Sequence, residues 1–369
     1  MVKTVFSIMI CLFIYKPNLA SDTLKTPTIE NDSIKKARFK VLGLPLFFFT
    51  PETKFGGGAA GLSTFNFKKD TGSTRASSVQ FGVAFTQLKQ ILIYLPFQLW
   101  LQNEKWNVNG ELGYYKYNFY YYGIGTSAKP SNQERYDVLF PRIKLSVLKQ
   151  IKKNWYFGGR YFYDGFKITG VENGGKLSQQ TEPGSKGGRV STIGLVFKID
   201  SRDYQFNATK GVFLETALQH DNKIWGASFE HIRLTFDYAR YKKFNFGHVL
   251  AGNIFTSFGN GTVPFYQMAV LGGTKKMRGF YEGRYRDKNM WMLQGEYRAT
   301  LWKRFGMVAF ATLGDVSDRI SSFKANTVKI AYGTGLRVMI DKKQKINVRL
   351  DIAWADPKPN FYLTLTEAF

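Results

Sequence analysis

The chain has 369 residues, with 52 Lys and Arg against 27 Asp and Glu, a formal net charge of +25 and 17% aromatic residues. One cysteine, Cys11, excludes an internal disulfide and a cysteine-based metal cluster. No run of about 18 apolar residues follows residue 20, which excludes a helical membrane span but leaves open a β-barrel, whose strands need only about 9–11 residues of alternating polarity. The 33 Phe, 21 Tyr and 36 Gly favour strands and turns over helix. On charge alone, nucleic acid, anionic lipid and acidic proteins are all candidate partners.

The first residues read as a secretory signal. Lys3 gives the charged start, Val5 to Tyr15 the apolar run, and Asn18-Leu19-Ala20 a small residue for cleavage. The bulky Ile10 before Cys11 argues against a lipidated cysteine. Residues 1–20 are therefore expected to be a cleaved signal and 21–37 a short periplasmic leader, with a barrel over 38–369.

From there the chain is a series of alternating runs. Val79-Gln-Phe81-Gly-Val83-Ala-Phe85 and Ile193-Gly-Leu195-Val-Phe197-Lys-Ile199 set large apolar side chains on every second position. Ile346-Asn-Val348-Arg-Leu350-Asp-Ile352 places Asn347, Arg349 and Asp351 on its other face. Such runs predict sixteen strands, at 38–50, 57–67, 77–87, 90–102, 106–120, 135–150, 154–168, 190–201, 211–221, 227–242, 246–258, 290–302, 304–315, 327–341, 345–355 and 360–369. The even count, the length of the runs and the aromatic crowding in Tyr114-Tyr-Lys-Tyr-Asn-Phe-Tyr-Tyr-Tyr122 favour an all-β, sixteen-stranded antiparallel transmembrane barrel over a soluble sandwich. With both ends periplasmic, the long connections 121–134, 169–189, 259–289 and 316–326 lie outside, and short turns lie inside.

The residues give little sign of catalysis. The three histidines, His220, His231 and His248, show no metal-ligand spacing. There is no Gly-x-Ser-x-Gly elbow. The glycines at Gly56–Gly58 and Gly184–Gly188 read as turns and close backbone approach. No catalytic, metal or cofactor site is expected, and the chain does not read as an enzyme; a membrane-embedded serine hydrolase spread over several strands is a third reading. Lys68-Lys69, Lys152-Lys153, Lys242-Lys243, Lys303-Arg304 and Lys342-Lys343 fall in or beside the periplasmic turns. They are solvated turn charge, or a cationic rim for anionic lipid heads or an acidic partner. Aromatic residues interleaved with basic ones also suit single-stranded nucleic acid, but an exported barrel gives no reason to expect it.

One connection stands apart. Leu271 to Lys288 carries four glycines (272, 273, 279, 283) and six cations, including Arg278. Glycines allow backbone angles closed to other residues.

Three segments carry a resemblance. Gly272-Gly-Thr…Met277-Arg278-Gly279-Phe280…Arg286-Asp287-Lys288…Glu296 resembles the sixth extracellular loop and following strand of the BamA/TamA-type outer-membrane assembly barrels (bacterial surface antigen family). Asp200-Ser-Arg202-Asp203…Lys210-Gly211 resembles that family's periplasmic turn between strands 8 and 9. Phe361-Tyr-Leu363-Thr-Leu365…Phe369 resembles its last strand, whose terminal aromatic is read by the insertion machinery. Together they cover most of residues 40–369. The resemblance implies a sixteen-stranded barrel in which the Arg278-Gly279-Phe280 tip folds into the lumen and Arg278 meets carboxylates on strands 12 and 13. Glu296 matches the first partner, since the period turns Gln294, Glu296 and Arg298 inward and Trp291, Leu293 and Tyr297 towards lipid. The second departs from the family: Phe310-Ala-Thr312-Leu-Gly314 has Thr312 at the carboxylate position, and Asp315 has the wrong parity. Thr366 replaces a frequent glycine. The family's periplasmic POTRA modules, which recruit substrate, find no room in residues 21–37, so the expectation is a barrel-only member.

The reading is an outer-membrane barrel serving outer-membrane biogenesis or acting as an accessory barrel of a membrane complex. A transport pore or surface antigen without assembly activity is the alternative. Expected partners are outer-membrane lipid, the insertion machinery during biogenesis and proteins at the basic periplasmic rim.

Overall fold

A computed structural model describes residues 40–67, 74–342, 344–355 and 358–369. The signal at 1–20, the leader at 21–37, Lys68-Lys69 and Lys343 lie outside them. Eleven strands come first: β1 Lys40–Thr50, β2 Lys54–Phe65, β3 Ser77–Thr86, β4 Ile91–Leu101, β5 Trp106–Tyr121, β6 Glu134–Lys152, β7 Trp155–Val171, β8 Gly188–Asp200, β9 Gly211–Asp221, β10 His231–Lys243 and β11 Val249–Gly261. A three-residue pair, β12 Ala269–Leu271 and β13 Tyr285–Asp287, lies within the next connection. Then come β14 Asn289–Trp302, β15 Phe305–Ser317, β16 Lys329–Asp341, β17 Ile346–Trp354 and β18 Asn360–Leu365. All but β12 and β13 close into one antiparallel barrel, so sixteen strands span and β14 is the twelfth of them.

Alternation explains both surfaces. Phe47, Phe85, Leu195, Leu250, Leu293, Leu313, Leu336 and Leu350 lie exposed on the outside. Exposed apolar surface of that extent fits lipid rather than water. On the same strands Gln294, Glu296, Arg298, Arg337, Arg349 and Asp351 point into the lumen and are buried there. At the periplasmic rim Trp302 and Phe305 stack with ring centroids 6.0 Å apart across the Lys303-Arg304 turn, as an interfacial girdle does. Lys152, Lys153, Lys242, Lys243, Lys303, Arg304 and Lys342 are exposed along the same rim.

The barrel closes weakly. Between β1 and β18 the one registered pair among the described residues is Phe49 opposite Leu363, whereas β1 pairs with β2 along its whole length. The expected last strand, 360–369, is shorter than its alternation suggests. It ends at Leu365 because Thr366 takes a positive φ of 63°. The next residues turn inward. Glu367 accepts from Arg337 Nε at 2.8 Å and from the Asn347 amide at 2.7 Å. Phe369 packs beside Tyr241, and its carbonyl accepts from Arg298 at 3.0 Å.

The connection between β11 and β14 enters the lumen. Leu271, Met277, Phe280 and Tyr285 form an apolar cluster with Met290, Met292 and Val316 of the wall. On the opposite side the extracellular mouth is capped by Tyr121, Tyr136, Phe140, Phe166 and Phe265, with Tyr266 stacked on Phe166 at 4.2 Å.

Candidate functional site

Glycines fold the lumenal loop back on itself. Gly272 and Gly279 take φ values of +106° and +115°. A Cβ on Gly279 would lie 2.8 Å from Ala355 Cβ, so only glycine lets the tip approach the β17 end. Gly272 N–H donates to Lys276 O at 2.9 Å, and Gly283 N–H to Leu271 O at 3.0 Å. Gly314 of β15 leaves room for Leu271 and Met277. Met277, with φ 58° and no exposed surface, holds a conformation that costs side-chain-bearing residues about 1–3 kcal/mol. Burial in the apolar cluster offsets it.

This backbone delivers Arg278 to the middle of the lumen, where it has no solvent exposure. Nη1 donates to Asp351 Oδ2 of β17 at 2.6 Å, and Nη2 donates to Glu296 Oε1 of β14. The guanidinium carbon lies 3.5 Å from the centre of the Phe310 ring on β15. A planar, charge-delocalised cation suits carboxylates on two sides and an aromatic face. The second carboxylate thus comes from Asp351 on β17, while Thr312 on β15 supplies none. Both acids are shared. Arg298 Nε donates to Glu296 Oε2 at 2.9 Å. Arg337 binds Asp351 Oδ1 at 2.6 Å as well as Glu367. Arg349 lies 3.4 Å from Asp351 Oδ2 and donates to Thr274 O of the loop at 2.8 Å. Four guanidiniums and three carboxylates make one buried network.

The two residues after Arg278 hold the same wall. Gly279 N–H donates to the Tyr362 hydroxyl of β18 at 2.9 Å, and the Asn360 amide donates to Gly279 O. Phe280 is buried against Tyr285, with ring centroids 5.2 Å apart. Across the seam, Glu282 N–H donates to Glu52 Oε1, in the turn between β1 and β2, at 2.9 Å. The loop therefore grips both seam strands at their extracellular ends. Burial, then the charge of Glu282, pushes the Glu52 carboxyl up to about 7 from its ordinary 4.5. Burial also raises Glu282.

At the periplasmic turn, Asp200 receives Arg202 through two hydrogen bonds, at 2.9 and 2.8 Å. Asp203 Oδ1 accepts the backbone N–H groups of Tyr204, Thr209 and Lys210. Gly211 has φ +103°, and a Cβ there would lie 2.3 Å from Ser201 O. These residues shape a turn. Phe361, Leu363 and Leu365 alternate outward on β18, whereas Phe369 sits inside. His231 lies beside Asp221 at 3.4 Å, His220 near Asn222 and His248 against Tyr297. Among the described residues no group of three or more His, Cys, Asp or Glu is placed to hold a metal. Sequence reasoning passed over Asp351, Glu367, Arg337, Phe310, Tyr362 and Glu52. The alternation of 346–354 had already put Asp351 on the lumenal face, which was the available signal.

A closed sixteen-stranded barrel, apolar outside and latched inside by an extracellular loop, is an integral outer-membrane protein. The chain belongs to the Omp85 superfamily, whose domain matches residues 42–369. Its fold is similar to that of BamA from Haemophilus ducreyi lacking POTRA domains 1–3 (12% identity, 89% of this chain, 70% of that one, TM-score 0.56). It is also similar to CdiB from Acinetobacter baumannii (12% identity, 90% of this chain, 60% of that one, TM-score 0.54). At such identity the likeness shows the fold alone. A search of curated proteins found no match.

Arg278→Ala is expected to lower barrel stability by about 3–5 kcal/mol, because it leaves buried carboxylates short of a partner. Heat-modifiability and urea midpoints in detergent measure it. The double mutants with Glu296→Ala and Asp351→Ala should fall short of additive loss by about 0.5–3 kcal/mol; additive losses would mean that the contacts are uncoupled. The Glu52 contact predicts a pH dependence. A carboxyl raised in the folded state contributes stability that is complete below its ordinary 4.5 and is lost as pH rises through about 7. Protease access to residues 272–288 should thus increase between about pH 5 and pH 8, and Glu52→Gln should flatten that increase.

Proposed function

We propose that this barrel serves outer-membrane biogenesis, inserting other barrel proteins or supporting their insertion as an accessory barrel of a membrane complex. The observation that carries the reading is the seam. Among the described residues only Phe49 is registered with β18, and the chain end turns into the lumen instead of continuing the ladder. The periplasmic part of β1 thus keeps backbone donors and acceptors for a strand from another chain, as an unpaired sheet edge does. Membership of the Omp85 superfamily and the fold likeness to BamA support it. The lumenal loop and the aromatic cap speak against a standing pore, the alternative reading.

The accompanying proposals concern export and partners. Residues 1–20 act as a cleaved signal of a Gram-negative exporter, 21–37 as a periplasmic leader and 38–369 as the barrel. Phe361, Leu363, Leu365 and Phe369 are read by the insertion machinery before folding, since Phe369 is packed inside afterwards. The exposed lysines of the periplasmic rim meet anionic lipid or acidic protein surfaces.

Cysteine pairs test the seam, and Cys11 falls within the proposed signal. Phe49→Cys with Leu363→Cys should cross-link. Phe47→Cys with Leu363→Cys, two residues out of register and on the same face, should also trap a fraction if the seam slides. Locking the seam should lower the outer-membrane protein content of cells, while a control cross-link between β9 and β10 should not. A single register, with steady ion conductance that the lock leaves unchanged, would favour the pore.

A further inference from the structure

The lumenal loop leans on β14–β18 and, among the described residues, leaves the facing wall uncovered. On β1–β4 the inward side chains include Leu46, Phe48, Leu62, Leu92 and Tyr94, an apolar lining where a barrel lumen is ordinarily polar. With Phe206 of the periplasmic turn they bound a cavity of about 380 Å³, within the range of small-molecule sites. The cavity is also lined by Leu365, which faces outward on β18, and by Thr366. It therefore runs through the seam on the periplasmic side of the Phe49–Leu363 pair and opens to the membrane interior. At its lumenal end stands Lys275. The Lys275 main-chain carbonyl accepts from Gln294, and its ammonium has no carboxylate partner among the described residues.

We propose that this groove binds a long-chain fatty acid drawn from the bilayer, its acyl chain along the β1–β4 wall and its carboxylate on Lys275. Two costs are removed together. The chain covers apolar surface that otherwise faces a watery lumen. The carboxylate supplies the ammonium with a counter-charge through a charge-assisted hydrogen bond. The groove is continuous with the membrane, so the ligand enters sideways and need not cross either mouth. A client strand would occupy the β1 edge instead, and its backbone would make no use of Lys275. The inference rests on the outer-membrane location and is independent of any assembly role.

The test uses the full barrel, delipidated and reconstituted in detergent, with the fluorescent fatty acid cis-parinaric acid as probe. Saturable binding near one per barrel is expected. Lys275→Glu should weaken it about ten-fold or more, and the methyl ester of the probe should bind wild type as weakly as the acid binds that variant. Ala60→Phe, which narrows the groove, should reduce binding of both forms. Lys144→Glu, a lumenal charge change outside the groove, should leave binding unchanged. Heat-modifiability confirms that each variant is folded, and Lys275→Gln serves if Lys275→Glu is not. Absence of saturable binding would overturn the proposal. So would equal affinity of acid and ester, or insensitivity to Lys275.

Discussion

A guanidinium in the middle of a barrel loses its hydration, and only close carboxylates and aromatic faces can replace it. Arg278 meets that requirement with Glu296, Asp351 and Phe310, on β14, β17 and β15. The two acids in turn engage Arg298, Arg337 and Arg349. Much of the polar interior of the C-terminal wall is thus organised around one loop residue. Strands β14–β18 carry their charges inward because those charges answer Arg278 and one another. They can carry them through a membrane because the opposite parity is apolar.

The same constraint makes the lumen asymmetric. The tip is bound to the β14–β18 wall, and β1–β4 turn aliphatic and aromatic side chains towards the lumen. Towards β5–β7 the extracellular mouth is closed by stacked aromatics instead. Closure is therefore divided among an ion network, a ring cluster and a seam with little ladder of its own. The three differ in their response to conditions: the network and the Glu52–Glu282 contact are electrostatic, the ring cluster is not.

Much of this was legible in the chain. A period of two, sustained over runs of about ten residues, fixes strands and the parity of each side chain, and hence placed Glu296, Arg298, Arg349 and Asp351 inside. The glycines around Arg278 marked a loop with unusual backbone angles. What was not legible depends on neighbours across the lumen. Which inward acid faces Arg278 is set by barrel stagger, a property of all sixteen strands together. Asp351 therefore looked like any other polar-face residue, while the family pattern pointed to Thr312. The end of β18 was hidden for a different reason. Phe361, Leu363, Leu365 and Phe369 share one parity, which reads as a continuous strand. The pull of Arg337 on Glu367 and the left-handed turn at Thr366 override it.

The loop and the seam are one mechanical unit. Gly279 N–H holds Tyr362, the Asn360 amide holds Gly279 O, and Glu282 N–H holds Glu52. These contacts join β18 to the β1–β2 turn through the loop's main chain, at the extracellular end where Phe49 and Leu363 also meet. Among the described residues neither loop nor ladder spans the gap below that point, and the chain end has turned away into the lumen. Among the described residues the loop thus ties the extracellular half of the seam, and the Arg278 network does not cross its periplasmic half. The seam is thus held from its extracellular end, and its periplasmic end is the looser of the two. Its buried charges anchor the loop that ties this seam, and the β1–β18 pairing is the weakest ladder of the barrel.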